Sequence, residues 1–143
     1  MSREFDECLK KKKIIIFERA KKLVSKEISQ AKFDYDASQS SFKEGNFKWS
    51  IIQAYYSMFH SARALLYSKG FRERSHYCLV ESIRALFVEK RLIDHKLVEA
   101  LQFGKILREN ADYYGEFSKD AAEEMLKNAK IFIDVVKKLL IST

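Results

Sequence analysis

Proline is absent from this 143-residue chain, and glycine occurs only at Gly45, Gly70, Gly104 and Gly115. Strands need turn punctuation, and so little of it excludes a β-rich fold. The scattered glycines also exclude a phosphate-cradling glycine loop. Cysteine occurs twice, at Cys8 and Cys78. Two residues so far apart are neither a disulfide framework nor a zinc signature. The expectation is a reduced, cytoplasmic chain with no metal and no other cofactor. The apolar run of Ile14, Ile15, Ile16 and Phe17 is far too short to span a membrane. Together with the lysines before it, it also fails as a signal peptide. No serine or cysteine has a recognisable nucleophile setting, and the paired Glu-x-x-His motifs of a di-iron bundle are missing. Asparagine and glutamine are sparse beside abundant Lys and Glu, a balance reminiscent of thermophile proteins.

What is present is 47% hydrophobic and 33% charged. That is the profile of one soluble globular domain over residues 1–143, long enough to bury a core. Lys and Arg number 27 against 20 Asp and Glu, a net charge of +7. A basic domain is biased toward polyanions through phosphate contacts; the plainer alternative is a solvated basic surface. Much of the excess is local. Lys10, Lys11, Lys12 and Lys13 form one run, within a basic helical extension of about residues 1–22. Arg72 and Arg74 form a second cluster, in an expected loop over residues 71–74.

Hydrophobic periodicity predicts an all-α fold, an up-and-down bundle of four to five helices. A first helical region runs from about Arg3 to Lys43. As one helix it would be ~60 Å long, so a break or an overhanging arm is expected, and Gly45-Asn46 ends it. The central helix, from Phe47 to Lys69, is apolar on almost every side and is therefore buried. Its remaining face is small: Ser50, Ala54, Ser57, Ser61, Ala64 and Ser68. That face is expected to admit another backbone, with a second subunit or a docked protein as a candidate. Ser75 is a candidate cap for the third helix and Asp94 for the fourth. The last helix starts after Ser118.

Several polar residues fall where apolar ones belong. Arg63 lies in register with Phe59 and Leu66, and a buried guanidinium needs carboxylates; Asp112, Asp36 and Glu81 are candidates, and a snorkelling side chain is the alternative. Arg108 and Asp112 stand i, i+4 on the inward side of the fourth helix, next to Tyr113. They form either a surface ion pair or the floor of a site. His76 opens the third helix beside Arg72 and Arg74, where exposed backbone N–H groups favour anions; an ordinary charged loop is the alternative. His60 and His95 read as structural.

The segments AYYSMFHSARALLYSKG, Ser75-His76, LRENADYYGEF and AAEEMLKNAKIFIDVVKKLL together resemble the HEPN domain family of prokaryotes, in its small stand-alone branch. The resemblance covers roughly Ser25 to Leu140. It implies a helical bundle, usually a homodimer, often working beside a minimal nucleotidyltransferase in a toxin–antitoxin or defence pair. Many members are metal-independent ribonucleases. Their motif is an arginine, four to six residues, then a histidine: the arginine stabilises the charged phosphorane and the histidine moves a proton. Here Arg108 takes the arginine's place, but Tyr113 follows the four intervening residues, and no histidine occurs after His95. Only three residues separate Arg72 from His76. A tyrosine, with a pKa near ~10, is a poor base at neutral pH. The expectation is a non-catalytic nucleotide- or RNA-binding homodimer, with Arg108, Asp112, Tyr113, Arg72, Arg74 and His76 as contacts. It would pair with a nucleotidyltransferase and have no membrane role. The rivals are a ribonuclease in which His76 replaces the missing base, and a purely structural interaction module.

Overall fold

The expected break in the first helical region falls after Lys10. In the computed structural model, which describes residues 2–141, α1 (Arg3–Lys10) is capped by the Ser2 hydroxyl, which accepts from the Phe5 N–H at 3.1 Å. Lys12 adopts a left-handed φ of +57° and reverses the chain. The three isoleucines then form β1 (Ile14–Ile16), as β-branched side chains favour extended backbone. A single 3₁₀ turn (Ala20–Leu23) leads into α2 (Val24–Lys43). Met1, Ser142 and Thr143, included in the domain expected above, lie outside the described residues.

Two expectations need correction here. Residues 71–73 are not a loop but β2 (Phe71–Glu73), paired antiparallel with β1 so that Ile14 faces Glu73, Ile15 faces Arg72 and Ile16 faces Phe71. Gly70, at φ +84°, makes the turn out of the preceding helix that this pairing needs. Cys8 and Cys78 are not free thiols: they form a disulfide across 70 residues, with Cα atoms 5.7 Å apart. Phe5 and Cys8 share the buried face of α1, and that face packs on α4, which brings the sulfurs together.

The remaining helices are α3 (Phe47–Ser68), α4 (His76–Ile83), α5 (His95–Tyr114) and α6 (Lys119–Ile141). α4 and α5 start at the side-chain caps read from the sequence, and α6 starts after Ser118, as expected, with that hydroxyl as its cap. Ser75 accepts from the Cys78 N–H at 3.1 Å, Asp94 from Lys96 at 2.9 Å and Ser118 from Ala121 at 3.0 Å. After Ile83 the chain continues as a π-turn (Arg84–Val88). Gly115, at φ +64°, closes α5 as a left-handed C-cap.

The structure is an all-α bundle with a two-strand ribbon on one side. α3 is its axis, packed against α2, α5 and α6. Met58, Leu65 and Leu66 of α3 meet Leu101 of α5 and Met125 and Phe132 of α6 in the fully buried core. Trp49, in the first turn of α3, the helix expected to be buried, stands 47% exposed. The small-residue face is also corrected, because it meets α2 of the same chain rather than a second subunit or a docked protein. Ser38 and Ser50 exchange hydrogen bonds with each other's carbonyls at 2.7 and 3.0 Å, and the Ser57 hydroxyl donates to the Ala31 carbonyl at 2.7 Å. Serines on both helices let the backbones approach closely while satisfying one another. Among the described residues no helix is long and apolar enough to cross a membrane.

Candidate functional site on the α3–α5 face

Aromatic residues of α3, the first residue of α4 and the polar side of α5 converge on one face. Tyr55, on the core side of α3, stacks on Phe59 with ring centroids 6.3 Å apart and meets Tyr56 edge-on at 5.3 Å. A buried tyrosine hydroxyl needs a partner. Here it is His76 Nδ1, 3.0 Å away. Ser75 fixes His76 as the first residue of α4, so its ring turns in over Tyr55.

Burial drives the Tyr55 phenol well above its ordinary range, with the neighbouring Tyr56 adding to the effect. Burial, together with the Lys105 cation, pulls His76 below its usual 6.5, against an opposing pull from Glu109. At neutral pH both groups are therefore uncharged. With the Tyr55 hydroxyl assigned as the donor to Nδ1, the remaining imidazole proton sits on Nε2. That Nε2 is buried and has no hydrogen-bond partner.

Arg108 reaches the same aromatic cluster from α5. Its guanidinium carbon lies 5.4 Å from the Tyr56 ring and 5.3 Å from the Tyr113 ring, and Nη2 donates to Asp112 Oδ2 at 2.9 Å. Burial works against the charge, but Tyr56, Tyr113 and Asp112 outweigh it and keep the group firmly cationic. The side chain is only 18% exposed, so this is a partly buried pair rather than a solvated surface one. Its Nε is buried without a partner. Tyr113, 64% exposed, forms the outer cover. The face therefore holds two unpaired buried donors, each of which costs about 1–3 kcal/mol unless an acceptor reaches it.

The other sequence-predicted residues lie in different surroundings. Arg72 extends outward from β2 and sits over Phe17, 5.4 Å from its centroid, and Arg74 is exposed at the end of the ribbon. Arg63 does not reach Asp112, Asp36 or Glu81, which pair with Arg108, Lys32 and Arg84 respectively. It binds Glu73 Oε2 through Nη2 at 2.9 Å and Nε at 3.2 Å, and reaches Glu27 Oε1 at 3.4 Å. His60 Nδ1 lies 2.5 Å from the other Glu27 oxygen, with Asp34 3.7 Å from Nε2. Among the described residues no group of three His, Cys, Asp or Glu side chains is arranged to hold a metal ion.

Sequence reasoning missed Tyr55, Lys105 and Glu109 as parts of this face. Tyr55 was hidden in an apolar stripe, and only the need of its hydroxyl for a partner could have singled it out.

The HEPN domain model matches residues 24–139. The chain belongs to the HEPN domain family. Two similar proteins of Methanocaldococcus jannaschii are each named "Putative toxin". One is 29% identical over 126 residues, covering 87% of this chain and 86% of that protein. The other is 28% identical over 114 residues, covering 79% and 85%. A UPF0332 protein of Archaeoglobus fulgidus is 35% identical over 105 residues, or 70% and 81%. In this HEPN chain Arg108 and Tyr113 occupy the last turns of α5, and the family match excludes the arm before residue 24.

Proposed function

We propose that this HEPN protein is the toxin-type member of a toxin–antitoxin pair, and that its α3–α5 face binds the phosphate of RNA or of a nucleotide without cleaving it. The observation that carries this reading is the pair of unsatisfied buried donors, His76 Nε2 and Arg108 Nε, set around one aromatic cluster beside Lys105. Phosphate oxygens are acceptors, and a guanidinium held between aromatic rings suits them. Tyr113 stands where a proton shuttle would be needed. Exposed Phe103, Ile106, Tyr113, Tyr114 and Phe117 along and just beyond α5 support a homodimer on this side. A minimal nucleotidyltransferase is the proposed partner, a reading that rests on the family resemblance; the names of the two Methanocaldococcus relatives support the toxin role alone.

Calorimetric titration with ATP and with a short RNA, at low and moderate salt, tests the binding. Wild-type protein is expected to bind both, and Arg108→Ala to weaken each by about tenfold or more, the loss of one charge-assisted contact. No heat from either ligand at low salt would remove the reading.

One observation favours the ribonuclease alternative: His76 belongs to the same cluster as Arg108 and is neutral at pH 7, and in its other tautomer, with Nδ1–H donating to the Tyr55 oxygen, Nε2 presents the lone pair a general base needs. That reading predicts cleavage of a structured RNA that vanishes in both His76→Ala and Arg108→Ala. The rate would rise through a midpoint below pH 6.5 and then level off, because deprotonation creates the base.

A further inference from the structure

β1 of the N-terminal arm and β2 are separated by more than fifty residues of sequence, yet the arm and β2 form one continuous surface. The Arg74 N–H donates to the Lys13 carbonyl at 2.8 Å, Ile15 pairs with Arg72, and the Phe17 N–H donates to the Gly70 carbonyl at 2.9 Å. Lys21 closes the far side, its Cε lying 3.9 Å from where a side chain on Gly70 would begin.

Within residues 10–22 and 69–74 there are ten Lys and Arg side chains against two carboxylates, Glu18 and Glu73. Since the whole chain carries +7, everything else is close to neutral. All ten are exposed. Among the described residues none of the ten forms an ion pair, and Glu73 turns inward to Arg63. The carboxylates Glu4 and Glu7 of α1 lie near Tyr77 of α4.

This surface is held in place rather than left as a loose tail. The lysine run sits on a tight turn with Lys12 in the left-handed region. The Lys11, Lys12 and Lys13 N–H groups donate to the Glu7, Leu9 and Cys8 carbonyls, and the disulfide anchors Cys8 itself. Like charges fixed side by side repel one another, and a non-glycine residue at positive φ is strained; such features persist where the surroundings enforce them. An external polyanion supplies the counter-charge that the fold withholds. Phe17 under Arg72 and the 80% exposed Ile16 add flat and apolar surface among the cations, which suits unstacked bases.

We propose that the arm–β2 ribbon is a second RNA-binding surface that grips the sugar–phosphate backbone of a single strand without regard to sequence. It rests on the reading of RNA as the ligand of the α3–α5 face, and it lengthens the footprint beyond that face.

Fluorescence anisotropy with a labelled single-stranded RNA of mixed sequence, measured across a salt series, tests it in the full chain. The variant is Lys10→Gln/Lys11→Gln/Lys13→Gln/Lys21→Gln, whose four sites are solvent-exposed; an unchanged melting temperature verifies its fold. Each lost phosphate contact lowers the slope of log affinity against log salt by about 0.7 for a single strand, so the variant is expected to lose a slope of about 3. ATP binding at the α3–α5 face should be unchanged in the variant. Arg108→Ala should show the converse, weaker ATP binding with most of the salt slope kept. A variant with wild-type affinity and slope for RNA overturns the proposal. So does a wild-type protein that ignores RNA but binds phosphatidylserine vesicles, which would make the ribbon a membrane-surface contact. Arm-dependent RNA binding that Arg108→Ala leaves unchanged, without any ATP binding, upholds the ribbon and removes the reading of the α3–α5 face.

Discussion

Reducing the Cys8–Cys78 bond is expected to lower the stability of the protein by about 4 kcal/mol, the chain-entropy value for a closed loop of this size. The loop spans 70 residues, nearly half the chain. At the entropy of unfolding usual for this length, the loss is about 10–15 °C in melting temperature. Thermal melts with and without a phosphine reductant measure it, and the Cys8→Ser/Cys78→Ser variant should match the reduced wild type and be indifferent to reductant. The effect is also expected to be uneven. The disulfide joins α1 to the start of α4, two residues from His76, and α1 leads directly into β1. Hydrogen exchange at Ile14, Ile15 and Ile16 should therefore rise more on reduction than exchange in α3, which is held on several sides by other helices. Equal melting temperatures in the two conditions would mean that the sulfurs are unpaired in the folded protein. Paired cysteines are commonest in oxidising compartments but also occur inside hyperthermophile cells, so the bond alone does not assign a compartment.

How much of this was legible in the sequence follows from the range over which each signal acts. Helix starts are local: Ser75, Asp94 and Ser118 each satisfy an N–H two or three residues on, and each was readable without knowing the fold. The burial of α3 was readable because it is written on nearly every face of that helix. The ribbon was not. Three isoleucines and Phe-Arg-Glu become strands only by meeting each other, and nothing within either segment names the other. Two further misreadings follow from the same gap. With residues 71–74 taken as a loop, Glu73 was unavailable as a partner for Arg63, and Cys8 and Cys78 had no reason to approach. The small-residue face is legible as a close-contact surface, but its occupant, α2, is specified by Ser38 and the Ala31 carbonyl, 12 and 26 positions away in sequence from their partners. At the α3–α5 face, Arg108 and Asp112 were visible as an i, i+4 pair, whereas the link from His76 to Tyr55 crosses from one helix to the next and is a product of packing.

Replacing Arg63 with methionine is expected to cost about 3 kcal/mol, the usual result of breaking a buried ion pair by removing one partner. The loss does not come chiefly from the guanidinium's own contacts. Arg63 leaves behind Glu73, whose side chain is 6% exposed and whose Oε1 is already without a partner, and Glu27, which would keep only His60. It also vacates the face of the Phe59 ring, 4.7 Å from its guanidinium carbon. One measurement separates this account from a simple packing defect. Adding Glu73→Gln to Arg63→Met removes the stranded charge, so the double variant should recover roughly half of the loss in chemical denaturation. A packing defect would instead add to it.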